Sequence, residues 1–475
     1  MPRTLVTTLT ALAGVAFALP AAADRPPHAT PAQPPIVPGH DQGWGAESSP
    51  LMHPGQAVRY WTPDKQAKAN AADLPEILPS QAAAAQRRRS VPAAQRLTPG
   101  GDANGYAPAR RPYTDAERSR ITGRLFFVNA RGRGDSCSAS VVRSAVELLV
   151  VTAAHCVYSA PAGAASGSWH SSFAFVPAYD GRAAGERQRE PYGRWGGRRA
   201  WKPDGYTGTT GGDWNSIYDV ALIEVGKKAR TLQDAVGAFT PMRNQGGRHT
   251  IVTSGYPGLL GRKPYDGRDQ LWCLARTRPA RMLGAAHAKL ETGNCHLSKG
   301  HSGGPWVLQG TNDLIGVLSA GTENSEADGF SVANTLTTDS YGAIVTKADP
   351  GGVYDALSVK VAGPARPVRR GDATTVTATV TMSGLMAAAQ VPLTLTVPPG
   401  TSLGALNGAA CRPAERTATC VIDAVRPGRP VTVSAQVHVA RDAKPWLPIS
   451  AHVTSTPLDP SQRDNTSVSS IATQR

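Results

Sequence analysis

The chain has 475 residues, 50 Lys and Arg against 35 Asp and Glu, and a formal net charge of +15. That length holds two or three domains with ordinary cores. The positive excess is spread along the whole chain, which reads as a generally basic surface and excludes a nucleic-acid-binding stripe.

The N-terminus reads as an export signal over 1–23. Arg3 supplies the basic end, Leu5 to Leu19 an apolar stretch, and Ala21-Ala22-Ala23 a small-residue cleavage site. The stretch is too short and too Thr-rich for a membrane span, and no later run approaches ~20 apolar residues. A secreted, extracellular product is expected, with no membrane span once the signal is gone. From 24 to 120 the chain is rich in Pro, Ala, Gln and Gly with little periodic hydrophobicity. Such a segment buries too little apolar surface to offset its ordering entropy. A disordered prosegment, either propeptide or linker, is expected there. Arg87-Arg88-Arg89-Ser90 and Arg118-Ser119-Arg120-Ile121 are its candidate processing points.

Over 121–350 the texture changes. Leu125-Phe126-Phe127-Val128, Ser138-Ala139-Ser140-Val141-Val142 and Leu148-Leu149-Val150-Val151 read as short strands between Gly- and Asp-rich turns. Many such strands predict an all-β barrel or sandwich. Over 354–475 another unit shows period-two alternation, as in Val376, Ala378 and Val380, then Val431, Val433, Ala435, Val437 and Val439. That is the pattern of half-buried strands in a β-sandwich. The six cysteines suit an oxidising compartment. They fall in three sequence-local pairs, Cys137 with Cys156, Cys273 with Cys295 and Cys411 with Cys420, among fifteen possible connectivities. A zinc site competes with disulfides, but no pair has Cys-x-x-Cys spacing, and no metal or cofactor is expected.

Three framed segments carry the chemistry. His155 follows an apolar strand and precedes Cys156. Asp219 stands before the apolar run Val220-Ala221-Leu222-Ile223, 64 residues later. Ser302 lies in Gly300-His301-Ser302-Gly303-Gly304-Pro305, a further 83 residues on. A serine hydroxyl attacks a carbonyl at neutral pH only if an imidazole takes its proton and a carboxylate fixes the imidazole tautomer. A carboxylate beside an apolar run is costly to bury unless hydrogen-bonded, and the imidazole is its natural partner. Asp213 is the rival acid, but Gly211 and Gly212 set it in a turn. The backbone N–H groups of Gly300 and Ser302 would form the oxyanion hole.

These residues, in the order His, Asp, Ser with Cys156 directly after the histidine, resemble the trypsin/chymotrypsin-like serine peptidases of the secreted bacterial type. The resemblance runs from about Gly123 to Val345. It implies two six-stranded antiparallel β-barrels with the active site between them, hydrolysis of a protein or peptide substrate, and a Cys137–Cys156 disulfide clamping the histidine loop. The C-terminal unit is similar to the Ig-like repeat domains of bacterial exported proteins. A cell-wall or protein partner could dock there, and a monomer is expected.

The chain also departs from the family pattern. His301 stands where animal members carry an Asp that pairs with a new N-terminal amine, so activation by that salt bridge is not expected. His296 takes the place of the acid in a trypsin-like pocket, so a preference for Lys or Arg is unsupported. His296, Leu297 and the edge Ser319-Ala320-Gly321 are expected to contact substrate, the last by main-chain hydrogen bonds. Asp459, Asp464 and Asn465 could cap turns or hold calcium. Two rivals stand beside the serine endopeptidase. One is an α/β-hydrolase esterase suggested by G-x-S-x-G, which needs the order Ser, acid, His. The other is a non-catalytic binding protein on a peptidase scaffold.

Overall fold

The computed structural model describes residues 45–72, 105–160, 166–208, 217–243, 246–262, 264–280, 289–293, 295, 299–321 and 330–475. The export signal, Arg87 to Ser90, Asp213, His296 and Leu297 lie outside them.

Six strands form the first barrel: β1 (Thr122–Val128), β2 (Gly134–Val141), β3 (Leu149–Thr152), β4 (Ser171–Pro177), β5 (Trp195–Pro203) and β6 (Ala221–Val225). Every pairing is antiparallel, and the order β1-β2-β3-β6-β5-β4 returns to β1, so no edge of this ring is open. Closure needs local bends. At Gly197, beside a bulge in β5, an added Cβ would lie 2.7 Å from the Phe173 Cβ. Only glycine lets the two backbones approach this closely.

The second barrel repeats the plan with β7 (Thr250–Gly255), β8 (Leu271–Arg276), β9 (Lys289–Thr292), β10 (Pro305–Leu308), β11 (Asp313–Gly321) and β12 (Ser331–Thr335). Past Thr277, β8 continues as Arg278–Pro279 and pairs with β9, which completes the antiparallel ring β7-β8-β9-β12-β11-β10. Cys273 and Cys295 are joined in a disulfide, and both are buried in this barrel's core.

The expectation of an unstructured 24–120 is corrected for 45–72 and 105–120. Ala46–Ser48 pairs with β5. The helices α1 (Pro54–Tyr60) and α2 (Pro63–Lys68) each begin on a proline, whose fixed φ and missing N–H suit a first turn. Between them Trp61 is 1% exposed and its indole N–H donates to the Ser172 carbonyl at 2.6 Å. Ala107–Pro108 pairs with β8, and Tyr106 and Tyr113 are buried. The segment is held by a few isolated aromatic anchors among polar residues. It therefore has no period for a sequence reading to detect. The candidate cut at Arg120–Ile121 falls at the end of a short helix, Glu117–Ile121, with Ile121 fully buried.

The C-terminal sandwich stacks two antiparallel sheets. One holds β13 (Leu357–Ala362), β14 (Ala373–Met382), β16 (Thr401–Asn407) and β18 (Val431–Val439). The other holds β15 (Ala387–Thr396), β17 (Thr417–Val425), β19 (Trp446–Val453) and β20 (Thr466–Gln474). The alternating residues read from sequence point inward and form one core. Cys411 and Cys420 face each other across a strand pair and are disulfide-bonded. Asp459 accepts hydrogen bonds from the N–H groups of Leu357 and Ser461 and from the Asn465 amide. Its oxygens face donors, as a turn cap requires. The sandwich is joined to the second barrel by sheet pairing. Thr240–Arg243 pairs in parallel with β11 on one side and with β15 on the other. Ion pairs from Arg426 to Asp313 at 2.7 Å and from Arg243 to Asp355 at 3.3 Å flank that seam.

Candidate active site

β3 delivers the histidine. The strand ends at Thr152, and a single 3-10 turn, Ala154–Cys156, follows. The Cys137–Cys156 disulfide ties this turn to β2. Asp219 lies just before β6, is fully buried, and meets His155 at two points. Its Oδ1 accepts the backbone N–H of His155 at 2.9 Å, and its Oδ2 faces Nδ1 at 2.9 Å. The Ser319 hydroxyl also donates to Oδ2. Burial works to raise the Asp219 pKa. The His155 ring and its hydrogen bonds, with those from Ser319 and the His155 backbone, outweigh burial and hold the carboxyl below its usual range. An ionised carboxylate only accepts, so in the neutral ring the proton lies on Nδ1 and the lone pair on Nε2.

The serine loop is pinned between β2 and β11. Gly300 and Gly303 have φ of +83° and +80°. At Gly303 an added Cβ would sit 2.0 Å from the Thr152 Oγ1, so no other residue fits. Ser138 donates from its N–H to the Ser302 carbonyl and from its hydroxyl to the Gly300 carbonyl, both at 2.9 Å. The carbonyl of Lys299 accepts from Gly258 at 2.5 Å and that of His301 from Gly304 at 2.8 Å. Those carbonyls belong to the peptide planes whose N–H groups are Gly300 and Ser302, so the two planes are fixed by their far sides. The Ser302 Oγ and His155 Nε2 are both buried without a hydrogen-bond partner among the described residues. An imidazole nitrogen and a serine hydroxyl that are both without a partner are groups that could serve as base and nucleophile.

His301 is fully buried, its ring 5.1 Å from that of Tyr106 and its Nε2 3.3 Å from the Thr253 hydroxyl. Burial pushes its pKa down to about 4, so it is a neutral packing residue, with no charge to offer an amine. Of the expected substrate edge, Ser319 sits at a bulge in β11 that turns its hydroxyl onto Asp219. Ala320 and Gly321 pair with β12 on one side, and the pairing of β11 with β10 ends before them.

Sequence reasoning missed His170. Its Nδ1 lies 3.1 Å from the Cys156 carbonyl, its Nε2 2.9 Å from the Ser159 hydroxyl, and its ring stacks on Phe127 at 4.7 Å. It braces the far side of the histidine turn, and burial pushes its pKa down to about 4. Only its nearness in sequence to His155 marked it. Cys137, His155 and Cys156 cluster closely enough to suggest a metal site, but the two sulfurs are joined as a disulfide and offer no thiolate.

Residues 116–339 match the family model described as Trypsin. Among solved structures, the chain is similar to a thermostable serine protease, AL20, from an extremophilic microorganism, at 24% identity and TM-score 0.39 over 49% of this chain and 98% of that chain. It is similar to the protease Anisep from Arthrobacter nicotinovorans at 23% identity and TM-score 0.40, over 49% of this chain and 96% of that one. The secreted serine protease VesC from Vibrio cholerae is similar at 14% identity and TM-score 0.33, over 78% of this chain and 71% of that one. No curated protein matches the chain.

Proposed function

We propose that the protein is a secreted serine endopeptidase that hydrolyses peptide bonds through an acyl-enzyme. The observation that carries this reading is the two-point hold of Asp219 on His155, which turns Nδ1 to the carboxylate while Nε2 and the Ser302 hydroxyl are both buried without a partner among the described residues. Ser302 Oγ attacks the scissile carbonyl while His155 Nε2 takes its proton. Asp219 stabilises the resulting imidazolium and holds its orientation. The negative oxygen of the tetrahedral intermediate lies at the N–H groups of Gly300 and Ser302, each such donor worth about 3 kcal/mol. His155 then returns its proton to the leaving amine, and water repeats the sequence on the ester. The substrate's acyl side pairs with the backbone edge at Ala320 and Gly321. The chain order His, Asp, Ser and the two antiparallel barrels argue against the esterase alternative. The sandwich is proposed as a docking unit for a cell-wall or protein partner.

The test compares the secreted protein with Ser302→Ala on a pool of peptides and peptidyl anilides read by mass spectrometry. The substitution should lower the rate ~10⁶-fold. A wild type that cuts nothing and leaves a sulfonyl fluoride probe unreacted at Ser302 would favour a binding role.

A further inference from the structure

The cleft beside the serine loop holds a piece of the chain itself. Asn70–Ala71 runs parallel to β2, Asn70 opposite Asp135 and Ala71 opposite Ser136. The N–H of Ala72 donates to the Ser136 carbonyl at 2.9 Å, and the Ser136 hydroxyl donates to the Asn70 carbonyl at 3.1 Å. The Arg124 guanidinium, itself 3% exposed, donates to the Ser136 hydroxyl at 2.8 Å and to the Ala69 carbonyl at 3.3 Å. The Ala71 methyl touches the serine loop. A Cβ added at Gly300 would lie 3.3 Å from it, and one added at Gly258 would lie 3.0 Å from it. Ser138, which holds the carbonyls of Gly300 and Ser302, is two residues from Ser136 on the same face of β2, a spacing of ~7 Å.

A substrate paired at Ala320 and Gly321, with its scissile carbonyl at the N–H groups of Gly300 and Ser302, runs on past Gly300 toward Asp135 and Ser136. The main-chain groups that would receive the leaving peptide there already bond Asn70 and Ala72. The occupant is firmly rooted upstream. Trp61 is buried against Phe126, and the buried Gln66 donates to Glu190 at 2.7 Å. Ser302 has no exposed surface.

We infer that Asn70–Ala72 fills the leaving-group side of the cleft and sets specificity there. The full chain favours acyl donors with small leaving groups and cuts more slowly those peptides that extend two or more residues past the scissile bond. The inference rests on the peptidase reading above.

The test uses the full chain as wild type, Ala72→Pro and Ala71→Gly. Two substrates share one acyl peptide, taken from the pool experiment. One carries a nitroanilide leaving group and the other extends three residues beyond the bond. Wild type should turn over the anilide with kcat/KM at least about tenfold above the extended peptide. Ala72→Pro removes the N–H donated to Ser136. Loss of one such bond should raise the ratio of extended to anilide turnover about tenfold. Ala71→Gly keeps every backbone bond, should move the ratio the same way, and serves if the proline variant does not fold. A wild type that cuts both substrates equally, or a ratio unmoved in both variants, overturns the inference. If no variant cuts either substrate or reacts with the fluoride probe, the peptidase reading itself fails and the inference falls with it.

Discussion

Asp219 shows how a costly burial becomes a positioning device. It has no exposure and receives three donors, so a neutral isostere should be structurally tolerated yet chemically wrong. Asp219→Asn offers Nδ1 a donor in place of an acceptor, and kcat on an anilide should fall ~10⁴-fold. Ser319→Ala removes one hydrogen bond to the carboxylate and should cost only about tenfold, a split that kinetics on the two variants checks. Two other buried groups set the pH response. His170 and His301 have folded pKa values of about 4 against 6.5 when unfolded. Between those values the unfolded chain binds protons that the folded one does not. Stability is therefore full above about pH 6.5 and declines as pH drops toward 4, with a slope of up to about two protons. Urea unfolding across that range, repeated with His170→Gln, measures it. A flat profile contradicts it.

At the scale of elements, legibility followed periodicity and framing. β3 and the sandwich strands were readable because each has a continuous or alternating apolar pattern. The histidine and serine sites were readable because Cys156 and the flanking glycines are local in sequence. The segment 45–72 was not, since its order comes from contacts such as Trp61 to Ser172 and Gln66 to Glu190 that no local pattern encodes. The role of the Ser319 hydroxyl was hidden for a related reason: a bulge in β11 turns it onto Asp219. Trp61→Ala should cost about 3–5 kcal/mol, measured by denaturant unfolding, far more than a loose prosegment would allow. Replacing Cys137 and Cys156 by serine should cost about 3 kcal/mol, because the disulfide closes a short loop in the unfolded chain.

At the scale of the molecule, the sandwich reads in sequence as an appended domain, but Thr240–Arg243 makes it share a sheet with the second barrel. Truncation after Gly352 would bare that strand's second edge, remove the Arg426 partner of Asp313, and expose apolar residues now covered by Met386 and Ala387. The truncated protein should melt at lower temperature and aggregate, as an unprotected edge invites. A soluble, fully active 1–352 with unchanged Tm would show the sandwich to be independent after all. The shared strand also has a consequence for timing. A chain made from its N-terminus presents Met242 long before Ala387 exists to pair with it. The strand Thr240–Arg243 therefore gains its second neighbour only after the sandwich's Ala387–Thr396 has emerged. The order of synthesis thus leaves one edge of Thr240–Arg243 uncovered until residues near 387 have been made.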